Sequence, residues 1–249
     1  MTKNFTIIIP ARFGSSRFPG KPLALIQGVP MIIRVWERAC KVCKDVYIAT
    51  DDDQIFNVSR QAGAKALLTS SVHRNGTERV AEAAGKIFQG DISGNEIIIN
   101  IQGDEPLIKE EAIIALYNSF QDSRVDIATL VHKINDPATL LNPHRPKVVF
   151  DNNKRALYFS REAIPYCRNQ EVGKLISAYQ HIGVYGFRYS ALKEIVMLPS
   201  TPLEEAEKLE QLRWLEHGYL IQCVESDYQG FGVDTPEDLE RMNIILNKA

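Results

Sequence analysis

Phe5-Thr6-Ile7-Ile8-Ile9-Pro10-Ala11-Arg12-Phe13-Gly14-Ser15-Ser16-Arg17-Phe18-Pro19-Gly20-Lys21-Pro22 sets an apolar run against a polar, glycine-bearing loop. Residues 5–10 have the length and continuity of a strand covered on both faces, and the loop begins at its carboxyl end. Downstream, residues 31 to about 43 place Met31, Ile32, Val35, Ala39 and Val42 on one side and Arg34, Glu37, Arg38 and Lys41 elsewhere. That spacing predicts a helix, with Pro30 suited to its first turn. Strands are expected at 46–50, 66–68, 97–101 and 127–131, and helices at 55–62 (stopped by Gly63), 77–88 and 109–120. The alternation predicts an α/β fold, Rossmann-like, with a mostly parallel central sheet flanked by helices.

The rhythm changes near residues 142–146. Segments 147–150 and 156–160 flank Asp151-Asn152-Asn153-Lys154, whose residues favour a tight antiparallel turn. A strand at 182–187, a helix at 203–218, a strand at 221–224 and a closing helix at 236–247 complete the pattern. We expect a single domain over residues 1–249, with a small antiparallel lobe within about 145–190.

Composition excludes several classes. Hydrophobic residues make up 45% and charged residues 24%, as in ordinary globular proteins, and the formal net charge is -2. A surface that holds nucleic acid needs clustered Lys and Arg in excess, so nucleic acid is not an expected partner. Apolar runs are strand-sized, which argues against the membrane. Residues 1–6 show no secretory pattern, and a cytoplasmic setting is expected. There the four cysteines, Cys40, Cys43, Cys167 and Cys223, stay reduced. Cys40 and Cys43 have CxxC spacing, but no second pair completes a zinc set, and buried packing on the first helix is expected for both. His73, His132, His144 and His217 show no metal-like spacing.

The loop 10–22 lies where ligands collect in open α/β sheets, beyond a strand's carboxyl end. Gly14 and Gly20 permit close backbone approach, Ser15 and Ser16 offer hydrogen bonds, and Arg12, Arg17 and Lys21 supply positive charge. These are the parts of a triphosphate cradle, although neither the Walker spacing nor the dinucleotide fingerprint occurs. A solvated loop with incidental basic residues is the plain alternative. Two acids stand at further strand or helix ends, Asp104 in Gln102-Gly103-Asp104-Glu105-Pro106 and Asp234 in Gly232-Val233-Asp234-Thr235-Pro236. Magnesium takes one or two carboxylates plus phosphate oxygens and water, so a pair facing one triphosphate would hold it. Asp234 is also placed to cap the last helix; Thr235 can take the cap instead and leave Asp234 for metal.

On these residues the segment 9–12 through 20–22 resembles the signature loop of the sugar-activating cytidylyltransferases. Further matches extend the resemblance over nearly the whole chain: Gly76-Thr77-Glu78-Arg79, the segment 100–106, Ala156-Leu157-Tyr158-Phe159-Ser160-Arg161, Leu209-Glu210-Gln211-Leu212-Arg213 and the segment 233–238. It implies CTP as donor, the acid sugar 3-deoxy-D-manno-octulosonate (Kdo) as acceptor, Mg2+ as cofactor, a homodimer formed through the lobe, and a product for lipopolysaccharide assembly. By the same resemblance Pro10, Ala11, Arg12, Gly14, Ser15, Ser16, Lys21, Gly76, Arg79 and Gln102 hold the nucleotide. Gln102, Arg161, His181, Tyr185, Glu210 and Gln211 line the sugar site, Asp104 and Asp234 bind metal, and Arg12, Lys21, Asp104 and Asp234 carry catalysis. His181 and Tyr185 alternate along a strand and have a second reading as core or dimer surface. Gln180 departs from the basic residue that the resemblance leads one to expect there. Another acid sugar, or a nucleotide-binding regulatory module without catalysis, are the rival readings.

Overall fold

Residues 5–14, 18–89, 94–166, 168 and 178–247 are described by a computed structural model. The chain divides into two compact units, one formed by residues 1–113 and 230–249 and the other by residues 114–229.

The first unit begins with β1 (Phe5–Ala11), all seven residues of which are buried. Its continuous apolar run needs cover on both faces, and helices supply it. A small antiparallel hairpin follows, β2 (Leu25–Ile26) and β3 (Val29–Pro30), and then α1 (Met31–Cys40), which buries Met31, Ile32, Ile33, Val35 and Ala39. Next come β4 (Val46–Thr50), α2 (Asp53–Gln61), β5 (Lys65–Leu68), α3 (Gly76–Ile87) and β6 (Ile97–Asn100). The strands lie in the order β6-β1-β4-β5 and pair in parallel throughout. The chain therefore builds outward from β1 through β4 to β5 and then returns to the other side of β1. Such a reversal opens a crevice at the carboxyl ends of the strands on either side of it, here β1 and β6.

α4 (Glu110–Asn118) leads into the second unit. It contains β7 (Ile127–Lys133), α5 (Pro137–Leu141), β8 (Lys147–Phe150), β9 (Ala156–Ser160), β10 (Tyr179–Arg188), α6 (Tyr189–Ile195), α7 (Pro202–Glu207), α8 (Glu210–Glu216) and β11 (Ile221–Glu225). This sheet is mixed: β11 is parallel to β7, while β10 is antiparallel to β7 and β8, and β8 to β9. The turn expected at 151–154 forms, with Asp151 Oδ1 accepting from the Asn153 and Arg155 amides at 2.8 and 2.9 Å. Lys154, rather than an asparagine, takes the positive φ of 62°. The chain then rejoins the first unit as α9 (Pro236–Asn247).

Two sequence expectations need correction. The helix expected over 31–43 ends at Cys40, which is exposed; Cys43 lies beyond the end, buried, with its thiol donating to the Phe5 carbonyl at 3.0 Å. Cys40 follows the inward-facing Ala39 and is turned about 100° away from it around the helix, so only one of the two cysteines packs inside. The helix expected over 203–218 is two helices, because Lys208 adopts φ 52°, ψ 47° between them. The carboxylate of Glu207 explains the break: it accepts from Ser160 Oγ at 2.6 Å and from the Arg161 amide at 2.8 Å, fixing the end of α7 to the end of β9. A continuous helix would carry Glu207 out of that position.

Glu207→Ala should therefore leave a main-chain donor and a hydroxyl unsatisfied at the end of β9, at a cost of about 2 kcal/mol. Chemical denaturation of the variant measures this, and an unchanged midpoint would contradict the assignment.

Candidate functional site

The crevice between the ends of β1 and β6 is a cleft of about 320 Å³ lined by Arg12 and Lys21 after β1, Gln102 and Asp104 after β6, Asn75 before α3 and Asp234 before α9. Its walls depend on two glycines. A Cβ on Gly103 would come within 3.0 Å of the Pro10 carbonyl oxygen, and one on Gly76 within 3.2 Å of both Gln102 Oε1 and a Pro10 ring carbon. A side chain at either position would make Pro10 or Gln102 give way, so glycine suits the close approach of the two strand ends and the start of α3.

Lys21 enters the cleft from a tight turn. Gly20, at φ 70°, donates its amide to the Phe13 carbonyl at 3.0 Å and redirects the chain into the short 3-10 turn Lys21–Leu23. The Lys21 ammonium then donates to Asp104 Oδ2 at 2.6 Å and to Asp234 Oδ1 at 3.1 Å. Burial acts to lower the Lys21 pKa, but the two carboxylates outweigh it and the net shift is upward, so the ammonium stays charged. Side-chain exposure rises from Lys21 at 13% through Asp104 at 27% to Asp234 at 45%, which leaves the acids open to solvent.

The last acid is brought in from far along the chain by hydrogen bonds between segments distant in sequence. The Val233 amide donates to the Asp104 carbonyl at 3.0 Å, and the Phe231 amide to Glu105 Oε2 at 3.2 Å, so the segment 231–233 is clamped alongside 104–105. Glu105, in the motif after β6, is thus a structural anchor for the segment that carries Asp234, a role that its local sequence does not signal. Thr235 and Asp238 close α9 reciprocally: Thr235 Oγ1 accepts from the Asp238 amide at 3.2 Å, and Asp238 Oδ2 accepts from the Asp234 and Thr235 amides at 3.1 Å. Thr235 and not Asp234 is the cap, and the Asp234 carboxylate meets Lys21.

The start of α3 forms the opposite wall. Asn75 caps it by accepting from the Glu78 amide at 2.9 Å, and the helix end directs positive partial charge at the cleft. Arg79, 3% exposed, donates to Thr69 Oγ1 at 2.6 Å and Asp51 Oδ2 at 2.9 Å, which holds its guanidinium in the wall. Gln102 Nε2 donates to Asn100 Oδ1 at 3.3 Å. Arg12 and Gly14 are exposed, Arg12 at the cleft; Ser15 and Ser16 lie outside the described residues. His73 and Arg74 also line the cleft, and His73 is held by Glu82.

In the second unit His181, Tyr185 and Gln211 come together in a buried cluster with Phe159, Phe187 and Trp214. β10 bulges between Ile182 and Tyr185, and Thr129 Oγ1 lies within 3.2 Å of the Ile182 carbonyl and 3.0 Å of the Val184 carbonyl there. Thr129 donates into this bulge, so at 3.0 Å it accepts from His181 Nε2–H, while Nδ1 faces Gln211 Nε2 at 3.5 Å. That arrangement suits a neutral ring, and burial lowers the His181 pKa to about 3. Tyr185 is held well above its ordinary range by burial first and then by the charge of Glu210. Arg161 stands apart from this cluster. Its guanidinium donates to the carbonyls of Glu207 at 2.7 Å, Pro143 at 3.0 Å and Lys208 at 3.4 Å, so its planar fork is engaged on main chain. Gln180, in place of a basic residue, accepts from Arg145 Nη1 at 3.1 Å and so fixes a guanidinium beside it.

The family model described as Cytidylyltransferase matches residues 6–224. A 3-deoxy-manno-octulosonate cytidylyltransferase of Thermodesulfovibrio yellowstonii is 46% identical over 96% of this chain and 97% of its own. One of the same name from Parabacteroides distasonis is 46% identical over 97% and 98%. Among solved structures, CMP:2-keto-3-deoxy-manno-octonic acid synthetase complexed with CTP superposes with a TM-score of 0.89 at 39% identity, over 98% of this chain and 99% of that one.

Neutral His181 makes stability depend on pH. Below its ordinary value of 6.5 the unfolded chain takes up a proton that the folded ring refuses down to about 3, so this contribution is complete above 6.5 and is lost as pH falls through that window. His181→Asn should lose less melting temperature than the parent between pH of about 7.5 and about 5. Parallel declines in the two proteins would contradict the buried neutral ring.

Proposed function

Because the chain belongs to the cytidylyltransferase family, we infer that it transfers CMP from CTP to the anomeric hydroxyl of Kdo, releasing pyrophosphate. The observation that carries this reading is the convergence of one partly buried cation and two strand-end or helix-start acids in the crevice of a parallel sheet. Positioning and charge stabilisation dominate transfer at phosphorus, and the cleft is built from groups that do both.

In the proposed reaction the sugar hydroxyl attacks the α-phosphorus in line and the bond to pyrophosphate breaks, with no covalent link to the protein. Pro10, Ala11, Arg12, Gly14, Ser15, Ser16 and Gly76 bind the nucleotide, the glycines by close backbone approach. Arg79 shapes the wall that receives it, and Gln102 places nucleotide and sugar. Lys21 and Arg12 offset the charge that grows on the leaving pyrophosphate. His181, Tyr185, Glu210 and Gln211 are the proposed sugar-recognition set, and Arg161 supports that set by fixing the carbonyls at the end of α7.

Asp104 and Asp234 are assigned to magnesium. Among the described residues no group of three or more His, Cys, Asp or Glu could hold a metal. Two carboxylates that converge on one small cation nevertheless fit an ion that takes its other ligands from phosphate and water. Bound there, the ion supplies charge neutralisation for the phosphate oxygens. A homodimer is proposed through the second unit, where Leu141, Leu157 and Tyr166 expose apolar surface. Among the described residues no helix is long and apolar enough to cross a membrane. A cytoplasmic setting is proposed.

Asp104→Asn or Asp234→Asn keeps side-chain shape but removes a hard anionic ligand. Either variant should lose about 100-fold or more in turnover with its circular dichroism unchanged. Ordinary rates of CMP-Kdo formation by either folded variant would remove the metal assignment.

A further inference from the structure

The Lys21 ammonium bridges Asp104 and Asp234 at 2.6 and 3.1 Å, and these are the carboxylates assigned above to magnesium. Lys21 is also the cation assigned to the leaving phosphates. One side chain cannot serve both places, and one point between two acids cannot hold an ammonium and a divalent ion together. We propose that Lys21 is an internal counter-ion that occupies the divalent-ion site and yields it when the phosphates of CTP draw the ammonium away. The inference rests on the assignment of metal to Asp104 and Asp234.

The local structure allows this exchange. The main chain at Lys21 is fixed by Gly20 at φ 70° and by the bond from the Lys21 amide to the Phe18 carbonyl at 3.1 Å. Beyond it lies a flexible four-carbon stem ending in a compact, rotatable charge, which can change partners without moving the loop. Arg12 and the start of α3 line the same cleft, so an incoming triphosphate offers Lys21 new anionic partners while other groups already favour its charge. The counter-ion also solves a problem of charge. Asp104 and Asp234 are held near each other by the Val233 amide bond to the Asp104 carbonyl, and without a cation they repel. With Lys21 in place the acids are kept converged, ready for an ion with a higher charge.

The consequence is coupling: the site binds a divalent ion weakly alone and strongly with nucleotide, and by reciprocity the ion strengthens nucleotide binding by the same factor. Mn2+ is a suitable probe, its free concentration read by electron paramagnetic resonance without any turnover. In protein alone, Lys21→Met should bind Mn2+ about tenfold or more tightly than the parent, and Asp104→Asn added to it should remove the gain. Lys21→Arg, which keeps the charge, should stay near the parent affinity. Lys21→Gln serves the same purpose as the Met variant should that one not fold. Melting temperature gives a second readout: Mn2+ should stabilise the charge-removed variant and leave the parent nearly unchanged. If removing the charge does not tighten Mn2+ binding while Asp104→Asn still weakens it in the presence of CTP, the counter-ion role is wrong and the metal assignment stands. If Asp104→Asn has no effect on Mn2+ binding with CTP, the metal assignment fails and this inference fails with it.

Discussion

Lys21, Asp104 and Asp234 are separated by 83 and 213 residues, yet one ammonium touches both acids. Two carboxylates held close together need a cation, and a lysine taken out of water needs anions; neither is stable there without the other. The first unit is arranged so that the three meet. The parallel order β6-β1-β4-β5 puts the end of β6 next to the end of β1, Gly20 turns Lys21 inward, and the clamp of Glu105 and the Asp104 carbonyl on residues 231–233 returns the last segment to the strand ends.

That arrangement explains why the site uses so much backbone. At Gly76 and Gly103 a single Cβ would crowd Pro10 or Gln102, at 3.0 to 3.2 Å. Main-chain amides and a capped helix start then face the cleft where a triphosphate needs donors. Arg79 contributes less as a mobile charge than as a buried strut between Asp51 and Thr69. The second unit follows a different principle: His181, Tyr185 and Gln211 are locked in an aromatic core, and burial holds the His181 ring and the Tyr185 hydroxyl neutral.

Much of this was legible in the sequence because local causes produced it. The strands β1 and β6 are continuous apolar runs, and α9 begins where Thr235 and Pro236 say it should. Thr235 took the cap because Asp238 three residues on completes a reciprocal pair, which left Asp234 to meet Lys21. What could not be read depends on partners distant in sequence. Nothing near Lys208 announces a helix break; Glu207 is captured by Ser160 and the Arg161 amide, 47 and 46 residues away. Arg161 follows a strand, where an arginine can meet an acid sugar; the three carbonyls around its guanidinium come from residues that only the fold brings there. Cys40 and Cys43 share a spacing but not an environment, since α1 ends between them. Ser15 and Ser16 lie outside the described residues.

We propose that the cleft passes CMP to one acid sugar, Kdo. Incubating the protein with CTP and Mg2+ against a panel of Kdo, an amino-substituted Kdo and a sialic acid, with products resolved by phosphorus NMR, tests it most directly. A sugar-linked CMP phosphodiester and pyrophosphate are expected in equal amounts, with Kdo the preferred acceptor. Preference for another acid of the panel, or no diester with any of them, would contradict it.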